Sequence, residues 1–285
     1  MTRVAITGAA GQLGRQLVRA FEASGHQVRG LSHADFDITS ASDAEDLRSW
    51  RPEIVVNSAA WTDVDGCAGD PERAMRVNGE AAGQVAGLAA DCGALVVQIS
   101  TNEVFDGTQE HAYHEGDDPN PINAYGRSKL AGERAVAAVN PRHLIVRTAW
   151  LFGPGGTNFV TKILAAAQRA ADGGQPLRVV ADEIGNPTWT PDLAVVIAEL
   201  VAAPAGRTVI HAAGTPSASR LDWARVALGA AEFSVSIEPV ALATFQRAST
   251  PPPRAVLAPS EGLSQMDWRT ATARCVNELT LAPRS

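Results

Sequence analysis

Along the first half of the chain the apolar positions switch between two periods. Val4–Thr7 is a short apolar run ending at glycine, and Gln12–Ser24 then carries Leu13, Leu17, Val18 and Phe21 at helical spacing. Gln27–Leu31 reads as a second strand. Glu53–Ala60, with Ile54-Val55-Val56 inside it, reads as a buried third. Pro71–Cys92 predicts one long helix, its proline near the start where the missing N–H costs little. Leu95–Thr101 and His143–Phe152 are further apolar, β-branched runs. Strands this apolar, separated by helices, predict a parallel sheet covered on both faces.

The second half is less periodic. Leu177–Val180 and Val209–Ala212 predict strands; Asp192–Ala203, Ser219–Ala231 and Trp268–Leu279 predict helices. Thr250-Pro251-Pro252-Pro253 predicts a rigid extended segment. There is no internal repeat and no long linker. The expected organisation is a nucleotide-binding domain over residues 1–150, its core completed by part of the second half. A smaller lobe from 151–285 interleaves with it across a cleft.

Composition narrows the function classes. The 285 residues hold 24 Lys+Arg against 31 Asp+Glu, a formal net charge of −7, which argues against a nucleic-acid partner because phosphate contacts want a basic face. Cys67, Cys92 and Cys275 form no CxxC pair and no metal-ligand cluster, and the six histidines make no spaced set, so no metal is expected. His111 and His114 read as solvated loop residues, and the Asp63/Asp65 and Asp117/Asp118 pairs as loop or cap residues. The opening residues enter a glycine turn before any apolar segment long enough for a leader, and no run of about 18 apolar residues occurs. A cytoplasmic protein without a membrane span is the expectation.

The chemistry starts at Thr7-Gly8-Ala9-Ala10-Gly11-Gln12-Leu13-Gly14, between a predicted strand and a predicted helix. Gly8 permits the tight turn, Gly11 lets backbone N–H groups approach a pyrophosphate, and Gly14 lets the helix pack close to the sheet. The helix N-terminus faces the anion with its positive dipole end. The spacing is G-x-x-G-x-x-G, not the G-x-G-x-x-G of ordinary dehydrogenases. The second strand ends Val28-Arg29-Gly30-Leu31-Ser32-His33, with no acid for a ribose 2′-hydroxyl. Arg29, Ser32 or His33 would tolerate a 2′-phosphate, which favours NADPH; Asp35 or Asp37 folding back on the ribose would favour NADH.

Tyr125 and Lys129 stand four apart and share one face if the segment is helical. A phenol ionises near pH 10, and a neighbouring ammonium lowering that by ~2–3 units corresponds to ~3–4 kcal/mol of differential interaction. Such a tyrosine protonates a carbonyl oxygen as hydride reaches the carbon. Thr101, at the end of a predicted strand, would hydrogen-bond the same oxygen.

Together these elements resemble the extended short-chain dehydrogenase/reductases, and within them the dTDP-4-dehydrorhamnose reductase family. The likeness runs through the glycine turn with its Gln12-Leu13-Gly14, Asp35-Phe36-Asp37-Ile38-Thr39, Asn57–Asp65 and Arg76-Val77-Asn78. It continues through Val104–Gly107, Tyr125–Lys129, Arg147–Trp150 and Gly185-Asn186-Pro187-Thr188 with Asp192-Leu193-Ala194. The resemblance implies a Rossmann-type doubly wound sheet and a catalytic triad of Thr101, Tyr125 and Lys129, with Lys129 also holding the nicotinamide ribose. It places Asp37 and Ile38 near adenine, and Ala59, Ala60 and Asn78 at the cofactor site. Thr62, Val64, Asn102, Glu103, Trp150 and Thr188 would meet a dTDP-sugar, and Trp61 follows a strand at the ligand-binding edge. The implied reaction is NADPH-dependent reduction of a 4-keto-6-deoxyhexose, by a monomer or a homodimer.

Two stretches depart from that family. It reads Ser-Thr-Asp-Tyr-Val-Phe where this chain has Ser100-Thr101-Asn102-Glu103-Val104-Phe105, and it carries Arg-Pro where this chain has Pro251-Pro252-Pro253-Arg254. Thr101-Asn102-Glu103 also resembles the Thr-Asp-Glu of sugar-nucleotide 4,6-dehydratases, but an amide at 102 is no acid for dehydration. Glu103 is left as a base, as an acceptor for a sugar hydroxyl, or as a solvated side chain. Two further functional readings remain open: a 4-ketoreductase for another deoxysugar, and a non-catalytic, NADP-binding regulatory subunit of methionine adenosyltransferase.

Overall fold

The computed structural model describes residues 1–40, 44–202, 206, 208–264 and 266–281. Its centre is a six-stranded parallel sheet of β1 (Arg3–Thr7), β2 (Gln27–Leu31), β3 (Ile54–Asn57), β4 (Leu95–Thr101), β5 (His143–Thr148) and β10 (Val209–His211), in the order β10-β5-β4-β3-β1-β2. Alternate residues of β1 enter opposite cores, as strand geometry requires. Val4 and Ile6 pack with Leu13, Leu17 and Phe21 of α1 (Gln12–Ala23) and Leu193 and Ile197 of α8 (Thr190–Ala202). Ala5 packs on the other face, with Ala82, Val85 and Ala86 of α5 (Ala81–Asp91) and Val136 of α6 (Ala124–Val139). The sheet is therefore doubly wound, and α8 and β10 of the second half complete it. The expected helix over Asp192–Ala203 runs to Ala202; Ala203 lies outside the described residues.

A second core lies beyond β5. Phe152, Val160, Ile163, Trp189, Trp223 and Trp268 meet there. They come from α7 (Phe159–Asp172), α9 (Arg220–Ala230), α10 (Trp268–Leu281) and the short strands β6 (Leu151–Phe152) and β9 (Thr188–Trp189). β7 (Leu177–Val180) pairs with β12 (Ile237–Val240), and β8 (Ile184–Gly185) with β11 (Ala218–Ser219).

Three sequence-based elements are corrected by the fold, each beside the cleft. β3 stops at Asn57 rather than Ala60, because Ser58–Ala60 turn away to wall a cavity next to the glycine turn. The run Pro71–Cys92 contains a π-helical segment, Met75–Glu80, and ends at Asp91. The extra residue per turn directs Asn78 at the loop after β3, where its Oδ1 accepts from Trp61 N–H (2.8 Å) and its Nδ2 donates to Trp61 O (3.0 Å). The expected strand His143–Phe152 breaks after Thr148: Trp150 adopts φ 44°, rare for a side chain of its size, and the chain leaves the sheet there to pair β6 with β9.

Candidate active site

The glycine turn is shaped by close backbone packing. Gly8 has φ 67°, and a Cβ there would stand 2.7 Å from Ala59 N; one on Gly14 would stand 2.1 Å from Gly8 O. Gly11 is the N-cap of α1 and offers no side-chain cap, and the first turn holds no acid. By contrast Asp63, Asp70, Asn123, Asn158 and Ser219 each cap their own helix through a side chain. The first-turn N–H groups and positive dipole end of α1 are thus presented outward, an arrangement that fits a pyrophosphate.

Two cavities share Gly8 and Gly11. One, of about 720 Å³, runs past Ala59, Ala60 and Trp61 to His33, Asp37, Ile38 and Thr39, with Arg73 and Arg76 on its rim. Asp37 accepts from Thr39 N–H (2.9 Å) and Oγ1 (2.8 Å), which hold its carboxyl below the usual range. Asp35 bonds Ser32 instead. The other cavity, of about 470 Å³, passes Gln12, Leu13 and Gly14 and reaches Thr62, Val64, Thr101, Asn102, Glu103, Tyr125, Lys129 and Trp150. These dimensions and this mixed lining are ordinary for a small-molecule site.

Thr101 ends β4. Its Oγ1 accepts from Glu103 N–H (3.2 Å) and so caps the 3₁₀ turn Asn102–Val104. Asn123 caps α6 by accepting from Gly126 N–H (2.8 Å). A Cβ on Gly126 would lie 2.1 Å from Glu103 O, so the helix start seats directly on the turn after Thr101. That contact brings Thr101 and Tyr125 together, and Lys129 comes one turn later.

The electrostatics reverse one sequence-based expectation. Burial pushes the Tyr125 phenol up rather than down; the Glu103 carboxylate adds to the rise, and a hydrogen bond with Thr101 only partly opposes it. Lys129 does not offset this, since it is itself desolvated. Burial lowers its ammonium from 10.5 to about 8, and Nζ donates to Ile99 O at 2.7 Å. In this geometry the tyrosine is a firmly neutral acid and the lysine is the group that titrates near physiological pH.

Residues 1–281 match the family model described as RmlD substrate binding domain. The dTDP-4-dehydrorhamnose reductase of Burkholderia thailandensis is 35% identical, the match covering 97% of this chain and 99% of that protein. The chain belongs to the dTDP-4-dehydrorhamnose reductase family. A second relative, the dTDP-4-keto-6-deoxy-D-glucose reductase of Streptomyces niveus, is 40% identical over 223 residues, covering 78% of this chain and 76% of that one. The solved dTDP-4-dehydrorhamnose reductase of Bacillus anthracis, in complex with NADP, superposes with a TM-score of 0.91 at 33% identity, covering 97% of this chain and 99% of that structure.

Against the family pattern, most of the expected residues border the two cavities and two do not. Thr188 is fully buried: its Oγ1 donates to Asn186 O (3.0 Å) and accepts from Gly214 N–H (3.0 Å), so it braces the lobe instead of lining the cleft. Asn78 is buried behind the Trp61 loop and also bonds Ser128 (3.1 Å). Asn102 borders the cavity, but its amide donates to Ala255 O at 2.9 Å. Glu103 is not a solvated side chain, since it faces the cavity with its Oε2 accepting from Asn123 (2.6 Å). Arg254 turns away to Glu110 O (3.0 Å).

Arg220 is a site residue that sequence reasoning missed. Its guanidinium lies 3.5 Å above the Trp150 ring and pairs with Glu183 at 2.7 Å. It borders both the 470 Å³ cavity and a third one of about 360 Å³ that also holds Phe159, Lys162, Arg178, Phe245 and Arg247. The only local signal is Ser219-x-x-Asp222, a capping box that places residue 220 at a helix start and says nothing of what its side chain reaches.

Proposed function

We propose that this protein reduces the C4 ketone of a dTDP-linked 4-keto-6-deoxyhexose, dTDP-4-dehydrorhamnose to dTDP-L-rhamnose, using NADPH. The observation that carries this reading is that Thr101, Tyr125 and Lys129 border the same cavity as the uncapped start of α1. A nicotinamide dinucleotide bound across the glycine turn supplies the hydride. Tyr125 donates its phenolic proton to the carbonyl oxygen while the Thr101 hydroxyl orients that oxygen. Reduction consumes a proton, so a phenol kept neutral by burial is in the form the step requires. Lys129 spends one N–H on Ile99 O and retains others for a ribose hydroxyl.

His33, Arg73 and Arg76 around the larger cavity support a 2′-phosphate and thus NADPH, with NADH as the weaker donor. Lys162, Arg178, Arg220 and Arg247 suit the diphosphate of the sugar nucleotide, and Phe159 and Phe245 its base, in the 360 Å³ cavity. On this reading residues 1–150 with α8 and β10 hold the dinucleotide, and the rest of 151–285 holds the sugar nucleotide.

The test is spectrophotometric. NADPH absorbance is expected to fall when dTDP-4-dehydrorhamnose is added, with a lower KM for NADPH than for NADH. Unchanged absorbance with that ketone would refute the reaction. A second reading, another 4-keto deoxysugar as preferred substrate, is favoured by Glu103 standing where the family has tyrosine. It predicts a higher kcat/KM for dTDP-4-keto-6-deoxy-D-glucose than for the rhamnose precursor.

A further inference from the structure

Reduction needs a hydride and one proton, and Tyr125 supplies the proton. Glu103 has no part in that chemistry, yet it is built into the same cavity as Thr101 and Tyr125. Its carboxylate is held from one side. Oε2 accepts from Asn123 Nδ2 at 2.6 Å, and Asn123 also donates to Thr250 O (3.2 Å) and caps the helix that carries Tyr125 two residues later. Glu103's own backbone N–H is tied to Thr101 Oγ1 at 3.2 Å. The carboxylate is thereby fixed relative to both groups that meet the ketone oxygen. Oε1 accepts no hydrogen bond from any described side chain. The cations nearby are engaged elsewhere: Arg220 and Arg247 lie 2.7 and 3.9 Å from Glu183, and Glu103 has no ion pair among the described residues.

We propose that the site also enolises the ketone it reduces, with Glu103 removing and returning the proton on a carbon adjacent to C4. The inference rests on the ketoreductase reading. The carbons flanking a ketone are acidic because the electron pair left behind delocalises onto oxygen. Glu103 Oε1 takes the proton, the C–H pair becomes the C=C bond, and the carbonyl π pair moves to oxygen. Tyr125 and Thr101 hydrogen-bond that enolate as they would the alkoxide of reduction. Return of a proton from Glu103 restores the ketone, so charge and electrons balance without an oxidant or a second reactant. Burial raises the Glu103 carboxyl above the ordinary carboxylate range, which makes it a stronger base than an exposed glutamate.

The experiment incubates the protein with dTDP-4-dehydrorhamnose in D2O without NADPH and tracks the H3 and H5 proton signals. NADPH oxidation is measured in parallel on the same ketone. Wild-type protein is expected to accelerate loss of one signal at least ~100-fold over buffer. Glu103→Gln is expected to return exchange to the buffer rate at saturating ketone, the saturating concentration being set by titrating ketone binding to each protein. Oxidation of NADPH without exchange by the wild type overturns the proposal and leaves the reductase reading standing. Exchange that persists in Glu103→Gln also overturns it and leaves Glu103 a hydroxyl acceptor. Absence of both activities in the wild type overturns the reductase reading along with it.

Discussion

Tyr125, Lys129 and Glu133 occupy one stripe of α6, four residues apart, and the two charged members are treated in opposite ways. Glu133 is buried but fully partnered. Arg147 clasps it with Nε (3.0 Å) and Nη2 (2.8 Å), and Ser100 donates to the same carboxylate. Arg147 in turn reaches His211 Nε2 (3.4 Å), and His211 Nδ1 faces Tyr113 O (3.1 Å). Burial, with the Arg147 charge beside it, lowers His211 to about 4 and keeps the ring neutral. Lys129, one turn away and equally buried, has the Ile99 carbonyl as its one hydrogen-bond partner among the described residues, and the nearby Glu133 charge only partly offsets its desolvation. A buried charge with its partners in place ties β4, α6, β5 and β10 together. A buried charge short of partners has a shifted pKa, and in this cleft it sits beside the candidate acid.

The largest effect expected from this contrast is on turnover. Tyr125→Phe should lower kcat by ~10³-fold with little change in melting temperature, since the loss of a positioned proton donor costs ~10²–10⁴-fold. Retention of full turnover would remove Tyr125 from the chemistry. Glu133→Gln should do the reverse and destabilise the fold by about 3–5 kcal/mol, because it leaves the Arg147 charge buried and uncompensated. Denaturant titration checks this, and a loss under about 1 kcal/mol would show the pair to be dispensable.

Lys129→Met sharpens the comparison further. The lysine titrates at about 8 in the folded protein and at 10.5 when exposed. Between those values the unfolded chain holds the extra proton, so wild-type stability rises with pH across the window and levels off above it. That lowering corresponds to about 3 kcal/mol. The stability of Lys129→Met relative to wild type should therefore fall by about that amount from pH 7 to pH 11, and a pH-independent difference would contradict the buried-ammonium assignment. In the active enzyme, reduction should decline above about pH 8, as Lys129 loses its proton while Tyr125 keeps its own. A rate flat to pH 10 would place the titrating group elsewhere. The smallest effect concerns Arg220→Ala, expected to raise the sugar-nucleotide KM about tenfold with kcat nearly unchanged, as loss of one charge-assisted contact predicts.

Much of this cleft is legible before folding. The glycine turn, Thr101 and the Tyr125/Lys129 pair are local signals, each fixed within a few residues of a strand or helix end. The central strands are legible too, because burial on both faces leaves most of their positions apolar, as in Ile54-Val55-Val56 and Leu95-Val96-Val97. The two-residue strands β6, β8, β9 and β11 are not, since a pair of residues has no period to read. Nor is the π segment that aims Asn78 at the Trp61 loop, or the turn at Trp150 that leaves the sheet.

The sequence by itself determined which chemical groups this protein carries and where along the chain its main strands and helices fall, because propensity, period and turn chemistry act over a few residues. Only the tertiary structure decided what those groups become. Packing α6 against the turn after Thr101 desolvates Tyr125 and Lys129 together and sets the direction in which each ionises. It also brings Arg220 from a distant helix onto Trp150 and buries Thr188 away from the cleft. Burial and electrostatic neighbourhood depend on residues far apart in the chain, and no local pattern encodes them.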